Sequence, residues 1–197
     1  LLITIFGIFL GKLLCRIWSY ALATAIMTIP ELKKYNRVSE KGYQMAEEAK
    51  NLIKKVDKNI KIADFNVYQL KKMEASLYYY NEDTQERNIC ISIEKWSRKG
   101  KDVCFFAFLY FVLCSQHNSD IFKKSFQIGL NQLLTEWIIG NYSEKYEVPY
   151  IGENEERRMV WEILEASPQV DMKEIFLHYI DFQPEFFKYI VPSQYFR

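Results

Sequence analysis

Two short stretches of the sequence carry the side chains that could do chemistry. The first, FLYFVLCSQHNSD, places Cys114 and His117 three residues apart at the end of an apolar run. The second, NQLLTEW, begins at Asn131 and includes Gln132 and Glu136. Residues three apart share one face of a helix, so a thiol and an imidazole at this spacing meet the first requirement for a cysteine nucleophile with its base.

The surroundings of Cys114 argue against such a nucleophile. Its neighbours in sequence are Phe, Leu and Val, and burial among apolar side chains raises the pKa of a thiol and lowers its reactivity. The four cysteines show neither CxxC nor CxH spacing, so we expect them to be reduced and structural. No P-loop, GxGxxG, GxSxG or HExxH motif is present, and the two histidines are too few for a three-histidine metal site.

Residues 75–140 resemble the gluzincin (thermolysin-like) zinc metallopeptidases. The order SLYYYNEDTQERNICISI, DVCFFAFLYFVLCSQHNSD and IGLNQLLTEWI is similar to that family's strand, its helix with HExxH and its second helix with NExx[ST][DE]. In the family, two histidines and the glutamate of the second motif hold zinc, and the glutamate of the first motif is the general base. The resemblance therefore implies a peptidase-like fold with a site between two helices.

The sequence departs from the family at the positions that do the chemistry. The resemblance implies the first histidine at Leu113, the general base at Cys114 and the third zinc ligand at Gln132. Leucine has no lone pair, and a neutral amide is a poor ligand for zinc. We therefore predict a degenerate site with no catalytic residue, no metal and no cofactor, and purified protein without stoichiometric zinc or metal-dependent peptidase activity.

Other positions of the two motifs are retained, namely His117, Asn131 and the acid at Glu136. If the family's geometry is kept, Leu113, His117 and Gln132 lie on facing sides of two adjacent helices. Glu136 should then come within hydrogen-bond reach of His117 or of a group beside it. The alternative is that His117 is simply a helix-end residue bonded to nearby carbonyls.

The first thirty residues differ from the rest of the chain in composition. They contain only two charges, Lys12 and Arg16, before Pro30. The stretch exceeds the ~20 residues that cross a bilayer, although two charges on one helical face make a continuous span costly. We predict that residues 1–30 form a long apolar helix, either a membrane anchor or a signal remnant, with membrane contact through residues 1–29. A buried helix of the domain and an amphipathic partner helix are the alternatives.

Residues 31–197 are predicted to form one peptidase-like α+β domain that is predominantly helical. Helical spacing of apolar residues indicates a first helix over 39–56. Short segments rich in Ile, Val and Tyr predict a small antiparallel sheet containing a hairpin, with strands at 60–67, 75–82 and 88–93. The rest predicts a helical bundle, with helices at about 102–117, 119–140, 153–166, 170–180 and 183–190.

Composition limits the classes of function. An apolar content of 49% is enough for a substantial core, and 26 basic against 25 acidic residues leave no electrostatic case for nucleic acid. Our leading hypothesis is a non-catalytic, membrane-associated metallopeptidase-like domain that binds a peptide or protein partner. The alternatives are an active enzyme of an unrecognised type using Cys114, His117 and Glu136, and a plain structural helical domain.

Overall fold

The computed structural model describes residues 40–70, 77–81, 84–116, 121–152, 154–167 and 169–197. Within them the chain is mostly helical, as predicted, with one small sheet. The helices are α1 (Glu40–Val56), α2 (Ile93–Ser97), α3 (Lys101–Ser115), α4 (Lys124–Tyr142), α5 (Glu155–Glu165), α6 (Met172–Ile180) and α7 (Pro184–Phe187), followed by a 3₁₀ turn (Ser193–Tyr195). The strands are β1 (Asn66–Gln69), β2 (Leu77–Asn81) and β3 (Glu86–Ile91).

Helix α3 lies at the centre of the fold because it is apolar on nearly every side. Ten of its fifteen residues are buried, among them Phe105, Phe108 and Leu109. A helix that is hydrophobic all round must be covered all round. Helices α1, α2 and α4 and the strands β2 and β3 provide that cover, so the core forms around α3.

Helix α1 is amphipathic, as its sequence predicts. Its buried positions Met45, Ala49, Leu52, Ile53 and Val56 recur at spacings of one turn, and this stripe joins the core. Glutamate and lysine side chains occupy much of the opposite face. Burial of the apolar stripe, rather than intrinsic propensity, is what holds such a helix in place.

The sheet is mixed, so the prediction of an antiparallel sheet is wrong. Its strand order is β1-β3-β2, with β1 parallel to β3 and β2 antiparallel to β3. The chain passes from β1 to the far edge as β2, reverses, and returns as β3 between the two. Strand β3 takes the centre because its residues 88–91 are all buried, whereas an edge strand keeps one side open to solvent.

Two predicted elements begin later than expected because other contacts satisfy the backbone. The strand predicted over 60–67 starts only at Asn66, and before it the Ala63 amide donates to Gln116 Oε1 at 2.8 Å. The helix predicted from residue 119 starts at Lys124. Residues 121–123 instead pair with the C-terminal end of the chain, where the Lys123 amide donates to the Tyr195 carbonyl at 2.7 Å.

The long apolar helix predicted for residues 1–30 lies outside the described residues. The expected membrane contact through residues 1–29 lies outside them as well. Among the helices that the structure does describe, none combines the length and the apolar character that a bilayer-spanning helix requires. The N-terminal prediction therefore stays a prediction.

Candidate functional site

The carboxy-terminal half of α3 and the middle of α4 share a polar cluster in which Asn131 is buried and Cys114 is half-buried. Asn131 Nδ2 donates to Cys114 Sγ at 3.2 Å, and Asn131 Oδ1 accepts from the Tyr179 hydroxyl of α6 at 2.8 Å. Asn131 is only 1% exposed, and both ends of its amide have partners. Because a buried polar group must be hydrogen-bonded, this asparagine ties α3, α4 and α6 together.

The Cys114 thiol in this cluster has a raised pKa. Burial raises the pKa of Cys114 to about 12, although the neighbouring Tyr110 hydroxyl lowers it in part. Burial also raises the pKa of Tyr110 well above its usual value. The nucleophile is the thiolate, so a raised pKa lowers the reactivity of this thiol, in agreement with the expectation from its apolar neighbours.

Cys114 is expected to react with iodoacetamide at pH 8 about 10³-fold more slowly in the native protein than in the unfolded chain. A pKa of about 12 in place of 9.0 leaves roughly 10³-fold less thiolate at pH values below both. Differential alkylation followed by mass spectrometry of the Cys114 peptide measures the ratio, with the chain in denaturant as the reference. A native rate within about tenfold of the denatured rate would contradict the raised pKa.

A second polar cluster joins α4 to α5. Gln132 Nε2 donates to Glu136 Oε1 at 3.1 Å, and Gln132 Oε1 accepts from Asn154 Nδ2 at 2.9 Å. Arg157 Nε lies 3.0 Å and 2.8 Å from the two carboxylate oxygens of Glu136. The Glu136 side chain is only 15% exposed, so this ion pair is partly shielded from solvent. Asn154 also caps α5 by accepting from the Glu156 amide.

Asn131 and Gln132 are neighbours in sequence but face different helices. Successive side chains of a helix point about 100° apart. Asn131 therefore meets α3 and α6, whereas Gln132 meets α5. Within the described part of the chain, the pair Cys114 and Asn131 shares no hydrogen bond with the pair Gln132 and Glu136. The structure thus places the candidate residues Cys114 and Asn131 in one cluster and Gln132 and Glu136 in another.

The predicted meeting of Leu113, His117 and Gln132 stays a prediction, because His117 lies outside the described residues. Leu113 is fully buried. The Glu136 carboxylate, expected near His117, is held by Arg157 of α5. Across the described ranges, no group of three or more His, Cys, Asp or Glu side chains is arranged to hold a metal ion.

A cleft of about 610 Å³ lies beside the second cluster. Residues 148–152 form one wall, and Glu136, Asn154, Glu155, Arg157 and Arg158 supply the polar lining. Three apolar side chains of the wall are exposed, namely Val148, Tyr150 and Ile151, with Tyr150 at 92%. The predicted helices at about 119–140 and 153–166 leave this stretch as a connection without a role, although the apolar residues VPYI within it indicate an exposed apolar group.

The segment that forms the wall is anchored at its amino-terminal end. The Tyr146 ring stacks on Phe105 of α3, with ring centroids 3.8 Å apart. The Tyr146 hydroxyl and Lys145 Nζ both donate to the Glu48 carboxylate of α1, the latter at 2.6 Å. The Glu147 amide donates to Asp102 Oδ1 at 3.2 Å. These contacts hold the start of the wall against α1 and α3.

Replacing Glu48 by glutamine is expected to lower the free energy of unfolding at pH 7 by up to about 1 kcal/mol, the scale of a solvent-screened pair. Burial tends to raise the pKa of Glu48, but hydrogen bonds from Lys145 and Tyr146 and the Lys145 charge outweigh it, so the pKa lies below its usual 4.5. A carboxylate with a lowered folded-state pKa contributes stability above the unfolded-state pKa and loses it as pH falls through the folded value. The difference between wild type and Glu48→Gln should therefore shrink below pH 4.5.

Urea unfolding at a series of pH values measures that difference. The control is Glu47→Gln on the same helix, because the Glu47 side chain is 63% exposed and, among the described residues, pairs only with Lys50 one turn away. The control should change stability by less than about 0.5 kcal/mol. A Glu48→Gln effect that is the same at pH 3 and pH 7 would mean that the Glu48 charge does not hold the segment.

Comparison of this chain with protein-family models, with curated proteins and with solved structures gives no match in any of the three.

Proposed function

We propose that this chain is a non-catalytic domain that binds a peptide segment of a protein partner in the cleft beside α4 and α5. The observation that carries the proposal is the apolar wall at residues 148–152, where Val148, Tyr150 and Ile151 face solvent next to a polar floor. Exposed apolar side chains grouped at a concave surface are typical of interaction sites. Descent from a metallopeptidase, which also binds peptides, remains part of the same proposal.

We propose a non-catalytic domain because the two groups that could react, the Cys114 thiol and the Glu136 carboxylate, are engaged in structural contacts. A nucleophile needs a thiolate, whereas burial keeps Cys114 protonated. A general base needs a free carboxylate, whereas Glu136 is bonded by Gln132 and Arg157. Each group has a structural partner in place of a reacting one.

The charge of the cleft favours a peptide over nucleic acid. Arg157 and Arg158 are balanced by Glu136 and Glu155, and the pair Arg157–Glu136 is already neutralised by direct contact. Binding to nucleic acid depends on an excess of positive charge toward phosphates. The volume of about 610 Å³ fits a few residues of a peptide, since ligand clefts commonly measure about 300–1,000 Å³.

The test is selection of binders from a phage-displayed library of random dodecapeptides against the full chain. Enriched peptides, synthesised with a fluorescent label, are expected to bind with micromolar affinity measured by anisotropy. The double variant Tyr150→Ser, Ile151→Ser should bind about tenfold more weakly, which corresponds to roughly 1.4 kcal/mol. The matched control is Tyr189→Ser, because Tyr189 is 89% exposed and does not line the cleft.

Two outcomes would overturn the proposal. The first is that no peptide is enriched, or that the double variant and the Tyr189→Ser control bind the peptides equally. The second concerns catalysis: elemental analysis that finds one zinc per chain, together with peptidase activity that a chelator abolishes, would make the protein an enzyme. We expect neither zinc nor such activity.

A further inference from the structure

Residues 148–152 carry backbone groups that no described part of the chain pairs with. From 146 to 152 the chain runs without a turn or a bend. The amide and carbonyl groups of residues 148–152 hydrogen-bond to no residue that the structure describes. Unpaired backbone groups along an extended, exposed segment are a template for an added strand.

The segment is held at both ends, so its free middle is already positioned. Tyr146 and Glu147 anchor one end on Phe105, Glu48 and Asp102, as described above. At the other end, Asn154 bonds to Gln132 and begins α5. A strand that is fixed before binding loses little conformational freedom when a peptide pairs with it, which favours affinity.

The two edges of this backbone differ in their donors. In an extended chain, residues 148 and 150 present their amide and carbonyl groups to one edge, and 149 and 151 present theirs to the other. Gly152 has a φ of +82°, so the extended stretch ends there. Pro149 has no N–H, so the second edge lacks a donor, whereas residues 148 and 150 on the first edge both keep theirs. The first edge is therefore the one suited to a continuous ladder.

We propose that the bound peptide is extended and adds a β-strand to the edge of residues 148 and 150. This inference rests on the proposed function and deepens it. Its backbone pairs with the amide and carbonyl groups of this edge. Its side chains are apolar where they meet Val148 and Tyr150, since charges in the cleft are already balanced. The partner class is thus an extended peptide segment of low charge, recognised by main-chain pairing.

The experiment compares proline with alanine at two neighbouring positions, using a synthetic peptide selected from the dodecapeptide library. Both Tyr150→Ala and Tyr150→Pro lose the side chain, but only the proline variant also loses the N–H. We expect Tyr150→Pro to bind about tenfold more weakly than Tyr150→Ala, the scale of one or two hydrogen bonds. Ile151→Pro and Ile151→Ala should bind alike. Circular dichroism of all four variants verifies the fold.

N-methylation of the peptide gives a second, independent measurement. Methylating one amide at a time should weaken binding at every second position only, because a strand uses alternate residues toward one neighbour. Main-chain pairing is overturned, while the proposed function stands, by either of two results. One is that N-methylation weakens binding without alternating along the peptide, and the other is equal affinity of Tyr150→Pro and Tyr150→Ala. If the wild-type chain selects no peptide, the proposed function fails and this inference fails with it. Self-association of the chain that depends on Tyr150, without peptide binding, also overturns it.

Discussion

Replacing Gly129 by alanine is expected to destabilise the folded protein by about 3 kcal/mol, at the upper end of the usual cost of overpacking. A Cβ atom at Gly129 would lie 2.2 Å from the Glu156 carbonyl oxygen and 2.8 Å from Val160 Cγ2. The first of these atoms is backbone, so no side-chain rotation relieves the clash, and α5 would have to move away from α4. Urea unfolding monitored by circular dichroism measures the change.

Gly140 on the same helix is the matched control. Its Cβ atom would meet Val148 Cγ2 at 3.6 Å, an ordinary van der Waals distance. Alanine also favours a helix over glycine by up to about 1 kcal/mol, so Gly140→Ala should leave stability unchanged or raise it. A Gly129→Ala protein as stable as the Gly140→Ala protein would show that α4 and α5 do not approach each other this closely.

Replacing Asn131 by alanine is expected to lower the free energy of unfolding by about 3 kcal/mol. The substitution removes two side-chain hydrogen bonds, to Cys114 and from Tyr179. Tyr179 is 2% exposed, so water does not readily replace the lost acceptor for its hydroxyl. Leaving a buried donor unsatisfied costs about 1–3 kcal/mol, and the cavity from the shortened side chain adds to that.

A double-mutant cycle separates the hydrogen bond from the packing. Tyr179→Phe removes the hydroxyl and should be less harmful than Asn131→Ala, and the double variant should cost less than the sum of the two by about 1 kcal/mol. Asn141→Ala is the control on the same helix, because Asn141 is exposed and its side chain, within the described ranges, bonds only to the Trp137 carbonyl. Strictly additive effects of Asn131→Ala and Tyr179→Phe would contradict the coupling drawn from their 2.8 Å contact.

The elements that depend on local pattern could be predicted from the sequence. The apolar run near Phe108 places apolar side chains on every face of a helix, and such a helix must be covered on all sides. The structure has α3 at the centre of the fold. The one-sided spacing in α1 predicts its buried stripe in the same way. The raised pKa of Cys114 also agrees with the expectation drawn from its apolar sequence neighbours.

The order of the strands and the division of the candidate residues were decided only by tertiary structure. Whether β3 lies at an edge or in the centre depends on which strand finds a partner across the fold, and the sequence pattern of each strand is compatible with either place. Asn131 and Gln132 have similar chemistry, and their separation into different clusters depends on which helix packs on each face of α4.

The cleft is also formed by contacts between residues far apart in sequence, which the sequence pattern does not predict. Tyr146 and Glu48 are 98 residues apart, and Arg157 and Glu136 are 21 apart, yet these pairs position the wall and the floor of the cleft. The helical spacing of residues indicates which side chains share a face, because that relation is set by backbone geometry within a turn or two. It carries no information about which faces meet, because that depends on the packing of whole elements. The sequence by itself therefore determined most of the longer helices and the apolar setting of Cys114, but not the short helix α2, which no pattern predicted. The packing of α1, α3, α4 and α5 decided where the cleft lies.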